Sequence, residues 1–142
     1  MIKVCALNDL YSTRIFATLA LAKHICSLKI DAQLEVADPE VVDRIAFVKI
    51  GDRPKKFFSF ASKYCSWHDQ EHYPIYDRFV HGLLVAYKQH YEFMRFSDDQ
   101  LHTYRYFKEV VESFRSYFGL EDCSLKQLDK FLWLYGKELK VA

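Results

Sequence analysis

Apolar positions recur at three- and four-residue intervals along most of this chain, the spacing of one face of an α-helix. Ile2, Val4, Cys5, Leu7 and Leu10 suit a short opening helix. Ser12-Thr13 offers cap residues for a second, in which Ile15, Leu19, Ala22 and Cys26 keep to one face. Asp38-Pro39 sets a carboxylate before a proline at the first helical position and predicts a helix that turns Val41, Val42 and Ile45 inward. Gly51-Asp52-Arg53-Pro54 predicts a break and then a new helix through Phe57, Phe58, Ala61 and Cys65. Asp69 to Tyr76, with Pro74, reads as a turn, after which Asp77 caps a helix to about Tyr91.

Two capping-box patterns follow. Ser97-Asp98-Asp99-Gln100 leads into Phe107, Val110, Val111 and Phe114 and ends at Gly119; Ser124-Leu125-Lys126-Gln127 leads into Leu128, Phe131, Leu132 and Tyr135. No alternating strand pattern is longer than a few residues. The expectation is an all-α, compact multi-helix domain of six to seven helices that takes in residues 1–142 without repeat, linker or low-complexity tract.

Composition narrows the class. The chain has 142 residues, 51% of them hydrophobic and 17% aromatic, enough for a substantial core. Twenty basic residues against nineteen acidic ones leave a net charge of +1, so only local clustering can point to a polyanionic partner. Cys5, Cys26, Cys65 and Cys123 form no C-x-x-C pair and read as reduced core or near-core thiols. The longest near-apolar run, Ile15 to Ala22, is too short to span a membrane, and the N-terminus has no signal-peptide pattern. A cytoplasmic protein without a membrane partner is expected.

The H-x-x-E-H pattern of inverted zincins occurs at His68-Asp69-Gln70-Glu71-His72, with Cys65 nearby. Zinc hydrolysis needs both histidines on one helix face. Tyr73-Pro74 follows directly, and a residue before proline is pushed out of the α region, so the spacing predicts a polar turn and no metal or other cofactor.

Tyr73-Pro74-Ile75-Tyr76-Asp77-Arg78-Phe79-Val80 places a carboxylate at a helix N-terminus, where free N–H groups and the helix dipole keep it ionised and fixed in direction. It is an N-cap at the least, and an anchored anion where a reaction develops positive charge. The stretch resembles the V-D-T-H-V and F-P-I-L-D-G-N-V segments of helix-hairpin-helix DNA glycosylases. Ser59-Phe60-Ala61 falls where those enzymes carry K-T-A or S-T-A. Ser59-Phe60-Ala61-Ser62-Lys63 followed by Tyr73-Pro74-Ile75-Tyr76-Asp77, with Ala6-Leu7-Asn8-Asp9-Leu10-Tyr11-Ser12-Thr13 upstream, is similar to bacterial proteins of the 8-oxoguanine glycosylase fold.

The resemblance implies a helical glycosylase fold, with room for the loss of part of the usual N-terminal lobe, and removal of a flipped damaged base in base-excision repair with DNA as partner. Asp77 would be catalytic. The attacking group would be water if Ser59 marks the site, or the Lys63 amine if the nucleophile lies one helical turn later, roughly 6 Å along the axis. Arg53, Lys55, Lys56 and Arg78 would contact DNA, and Phe60, Tyr64, Trp67 and Tyr76 would hold the flipped base. The family's glycine-bearing L-P-G-V-G hairpin corresponds here to Arg53-Pro54-Lys55-Lys56-Phe57, which keeps only the proline. A second expectation therefore stands beside the enzyme: a non-catalytic module on the same scaffold that binds nucleic acid or protein, with Lys63 and Asp77 as a structural pair.

Overall fold

A computed structural model describes residues 1–141. Its helices are α1 (Ile2–Leu10), α2 (Thr18–Leu28), α3 (Asp31–Glu35), α4 (Glu40–Ala46), α5 (Phe58–His68), α6 (Arg78–His90), α7 (Tyr104–Tyr117) and α8 (Leu125–Glu138). A 3₁₀ helix, Asp98–His102, precedes α7. A two-stranded antiparallel sheet, β1 (Phe47–Ile50) and β2 (Arg53–Lys56), separates α4 from α5. The described residues thus hold eight α-helices, more than the six to seven expected, and a strand pair where none was expected.

The sheet replaces the helix start expected at Pro54. Gly51 takes φ +60, the left-handed region a tight turn needs, and Gly51-Asp52 folds Phe47–Ile50 back on Arg53–Lys56. Pro54 pairs with Lys49 in a sheet of only two strands, where a missing N–H costs little. Helix α5 begins only at Phe58, and Lys55 and Lys56 lie on a strand, not on a helix start.

Side-chain competition explains a second correction. Ser12-Thr13 caps nothing, because Asn8 captures the loop: its Oδ1 accepts from Ile15 N–H at 2.9 Å and Thr13 Oγ1 at 2.7 Å, and its Nδ2 donates to Ile15 O at 3.1 Å. Ser12 and Arg14 take positive φ and α2 starts at Thr18. Its buried face is Leu21, Ala22 and Ile25; Leu19 and Cys26 are exposed. Cys5 is exposed too, so only Cys65 is a core thiol.

Other caps fall as the sequence predicts. Asp38 Oδ1 accepts from Glu40 N–H, Asp77 Oδ1 from Phe79 N–H, and complete capping boxes open the 3₁₀ helix at Ser97 and α8 at Ser124. The first box opens a 3₁₀ turn because α7 has its own start: Asp43, on α4, accepts from Tyr104 N–H at 2.9 Å. Packing of α4 on α5 and of α6 on α8 encloses a core that includes Phe60, Tyr73, Leu83, Tyr104, Phe107 and Leu132. No helix among the described residues is long and apolar enough to cross a membrane.

Candidate functional site

Helical spacing brings the first two residues together. Ser59 and Lys63 lie one turn apart on α5, and Lys63 Nζ donates to Ser59 Oγ at 2.9 Å. The same ammonium stands 3.6 Å from Asp77 Oδ2 and 5.3 Å from the centre of the Tyr11 ring. All three residues expected to be catalytic therefore converge, although Asp77 belongs to a different helix.

A closely pinned turn holds Asp77 in place. Tyr73 OH donates to Asp38 O, and Tyr104 OH donates to Pro74 O at 2.7 Å. Ile75 N–H donates to Asp129 Oδ2 and Tyr76 N–H to Ser62 Oγ, both at 3.0 Å. Asp77 Oδ1 then caps α6, leaving Oδ2 to face Lys63. Four elements thus fix one carboxylate, the preorganisation an electrostatic role requires.

Lys63 is only 8% exposed. Desolvation lowers its pKa below the ordinary lysine value, opposed by the negative charge of Asp77. A lysine held this way deprotonates more readily than a surface lysine, the first condition for acting as a nucleophile.

Lys63 and Asp77 line two adjoining hollows. The larger, about 540 Å³, lies where the end of α1, α5, the start of α6 and α8 meet; Tyr11, Ile75, Asp129 and Trp133 share its wall, with the exposed Lys126 and Lys130. The smaller, about 480 Å³, is bounded by Lys56, Phe58, Ser59, Tyr76 and His102. The larger hollow is of the size that holds small ligands.

The expected base-holding aromatics divide. Tyr76 and Phe60 border the smaller hollow. Phe60 and Tyr64 are buried in the core, and Tyr64 borders neither hollow. Trp67 points away on the outer face of α5, 53% exposed, and is corrected to a surface residue. Trp133, which helical spacing on α8 did not single out, stands at the cleft instead.

The expected DNA contacts also divide. Arg53 and Lys55 are exposed on β2, and Arg78 is exposed on the first turn of α6, its guanidinium 4.7 Å from the Phe79 ring centre. Lys56 is tied down: its ammonium donates to His102 O, stands 3.9 Å from Asp43 Oδ1 and lies over the Phe47 and Phe58 rings. Sequence reading also missed Lys126, Lys130 and Asp129. The signal was an aspartate among Leu125, Leu128 and Leu132, a charged residue on an apolar helix face.

The His68–His72 pattern is split. Helix α5 ends at His68, Asp69 is extended (φ −147, ψ 97), and His72 Nδ1 lies 2.7 Å from Asp69 Oδ2. The two rings do not share a helix face. Among the described residues, no group of three or more His, Cys, Asp or Glu side chains is placed to hold a metal ion.

The family model described as the HI_0787_N N-terminal domain matches residues 1–72, and the chain belongs to that family. The match takes in Ser59 and Lys63 and stops short of Asp77. A Haemophilus influenzae relative, described only as an uncharacterized protein, is 42% identical over 133 residues. That similarity covers 93% of this chain and 63% of the relative, so the chain spans less than two thirds of the relative's length. No solved structure matches it.

Proposed function

We propose that the chain is a DNA glycosylase-like protein that removes a flipped damaged base, with Lys63 as nucleophile and Asp77 as the stabilising anion. The observation that carries this reading is the Lys63–Asp77 pair itself: a desolvated amine 3.6 Å from a helix-capping carboxylate, both on the wall of a cleft with Lys126 and Lys130 at its side. The chemistry follows from that pairing. As the bond between the sugar C1′ and the base weakens, positive charge grows on the sugar, and a fixed carboxylate stabilises it. The neutral amine adds to C1′, and the product ring-opens to a Schiff base. Ser59, hydrogen-bonded to Lys63, orients the amine in this scheme; where water attacks instead, Asp77 orients the water. Lys126 and Lys130 at the side of the cleft supply positive charge for a phosphate backbone, and Arg53, Lys55 and Arg78 are exposed as well.

One observation favours the second reading, a non-catalytic module that binds nucleic acid or protein. The backbone at Arg53–Lys56 is a β-strand with bulky side chains, where helix-hairpin-helix glycosylases bring glycines against a DNA phosphate. Base release from duplexes carrying 8-oxoguanine, other oxidised bases or uracil separates the two. The enzyme reading expects release that Asp77→Asn abolishes, and that Lys63→Ala abolishes where the amine, not water, attacks. Salt-sensitive duplex binding without release leaves the module, and the absence of both removes nucleic acid as the partner.

A further inference from the structure

Four residues line both hollows: Lys63, Asp77, Tyr11 and Ser12. The first two are the amine and the carboxylate of the site. The other two come from the end of α1, which packs on α5 and so forms a third wall of the cleft. Tyr11 closes α1, its N–H donating to Leu7 O at 3.0 Å, and the chain then turns through Ser12 at φ 49 and Arg14 at φ 55. Left-handed backbone at residues other than glycine is strained and persists only where the surroundings hold it. Asn8 holds it here, through Thr13 Oγ1 and both backbone groups of Ile15.

The Tyr11 ring lies where a cation is stabilised. Its centre is 5.3 Å from Lys63 Nζ, and an ammonium within about 6 Å of an aromatic centre is drawn to the electron-rich face. Ser59 Oγ accepts from the ammonium at 2.9 Å and Asp77 Oδ2 stands at 3.6 Å, so the ring is a further partner from a further element. The other charged or titratable groups on these walls are Lys126, Asp129 and Lys130, from α8, and Lys56, Tyr76 and His102 around the smaller hollow. Burial favours the neutral Lys63 amine and Asp77 favours the ammonium. The ring adds to the side of Asp77 without introducing a charge. Burial, and after it the charge of Asp129, holds the Tyr11 hydroxyl above the ordinary tyrosine value, so Tyr11 stays neutral at physiological pH.

We propose that Tyr11 is a positioning residue for Lys63, its ring face holding the nitrogen in its charged forms: the resting ammonium and the cation that forms on attack at C1′. The catalytic half rests on the glycosylase reading. On an abasic site in its aldehyde form, the neutral nitrogen gives its electron pair to C1′ and the C=O pair moves to oxygen. The nitrogen, now positive, passes a proton to that oxygen. A second proton, from solvent, lets the oxygen leave as water, and the nitrogen is left doubly bonded to C1′ and positive again. Charge therefore develops on the atom that the ring faces, and a preorganised electron-rich surface there speeds the step.

Tyr11→Leu removes the ring face and keeps an apolar side chain; Tyr11→Phe keeps the ring and removes the hydroxyl. Two quantities are compared with the wild type: the Lys63 pKa from an NMR titration of its side chain, and the rate of borohydride trapping on an abasic duplex at equal fractions of neutral amine. Tyr11→Leu is expected to lower the Lys63 pKa by about half a unit or more and to slow trapping by roughly threefold or more, and Tyr11→Phe to match the wild type in both. Water admitted beside a smaller side chain would raise the pKa, so a fall identifies the ring. Tyr11→Met replaces Tyr11→Leu if the latter does not fold. A Lys63 pKa that stays or rises in the folded variant, or a Tyr11→Phe that behaves like Tyr11→Leu, overturns the proposal. A lowered pKa with undiminished trapping overturns its catalytic half. Absence of wild-type trapping removes the amine-attack reading and that half with it, whereas the titration still decides whether the ring holds the ammonium.

Discussion

Lys63 Nζ stands 3.6 Å from Asp77 Oδ2, so an amine on one helix and the N-cap of the next form a pair that lines a cleft. Burial and Asp77 pull Lys63 in opposite directions: desolvation favours the neutral amine and the carboxylate favours the ammonium. Asp77→Asn removes only the second influence, so the Lys63 pKa should fall further, as read by an NMR titration of its side chain. Asparagine also caps well, so the same variant should keep nearly the wild-type melting temperature. Asp77→Ala should lose about 0.5–2 kcal/mol with the cap. A Lys63 pKa that rises in Asp77→Asn would contradict the electrostatic account.

Asp129 gives the fold a pH dependence of known sign. Its folded pKa of about 7 lies above the ordinary aspartate value of 3.8, so its contribution is fully present below about pH 4 and is lost as pH rises to 7. Asp129→Asn cannot ionise. Its unfolding free energy relative to the wild type should therefore climb between pH 4 and 7 and level off above, with a total difference on the order of a few kcal/mol as read by chemical denaturation. A difference that stays flat across that range would mean that Asp129 is ionised throughout.

The α6–α8 contact that carries Asp129 to the cleft relies on a missing side chain. A Cβ on Gly136 would meet the Phe79 carbonyl oxygen at 2.6 Å, and backbone cannot swing aside as a side-chain tip can. Gly136→Ala should cost about 1–3 kcal/mol in chemical denaturation, despite the better helix propensity of alanine. A stabilised variant would show that the two helices separate freely.

Much of this arrangement was legible in the residues. The caps at Asp38, Asp77, Ser97 and Ser124 were, because an N-cap is decided by neighbours two or three positions away. The convergence of Ser59 and Lys63 was legible for the same reason, through helical spacing. The hairpin was not: Phe47–Ile50 is only four residues long, and Pro54 reads as a helix opener unless the sheet is known to stop at two strands. Asn8 misdirected the reading of Ser12-Thr13 through bonds to Ile15 that span seven positions. Trp67 and Trp133 could not be told apart as core, surface or cleft, because which face a helix buries depends on partners distant in sequence. Asp129 was visible as a charge on an apolar stripe, yet its tie to Ile75 bridges fifty-four positions and only the fold reveals it.

The lysines provide a sharper test of where nucleic acid would sit. Lys126 and Lys130 are exposed beside the cleft, whereas Lys56 is held by Asp43, His102 O and two rings. Replacing Lys126 or Lys130 with alanine should weaken duplex binding and lower the slope of log affinity against log salt by about one each. Lys56→Ala should act mainly on stability. A salt slope that responds to Lys56 and ignores the α8 lysines would move the interface to the other side of the site.

The most direct test of the central claim is covalent. A lysine that attacks C1′ forms a Schiff base, which borohydride reduces to a permanent protein–DNA link. Wild type, Lys63→Ala and Ser59→Ala would be incubated with a duplex bearing an abasic site in the presence of borohydride and resolved by denaturing electrophoresis. The account predicts a cross-linked band for the wild type, a weaker one for Ser59→Ala and none for Lys63→Ala, with the cross-linked peptide mapping to Lys63. A band of equal strength in Lys63→Ala, or none in any of the three, would contradict it.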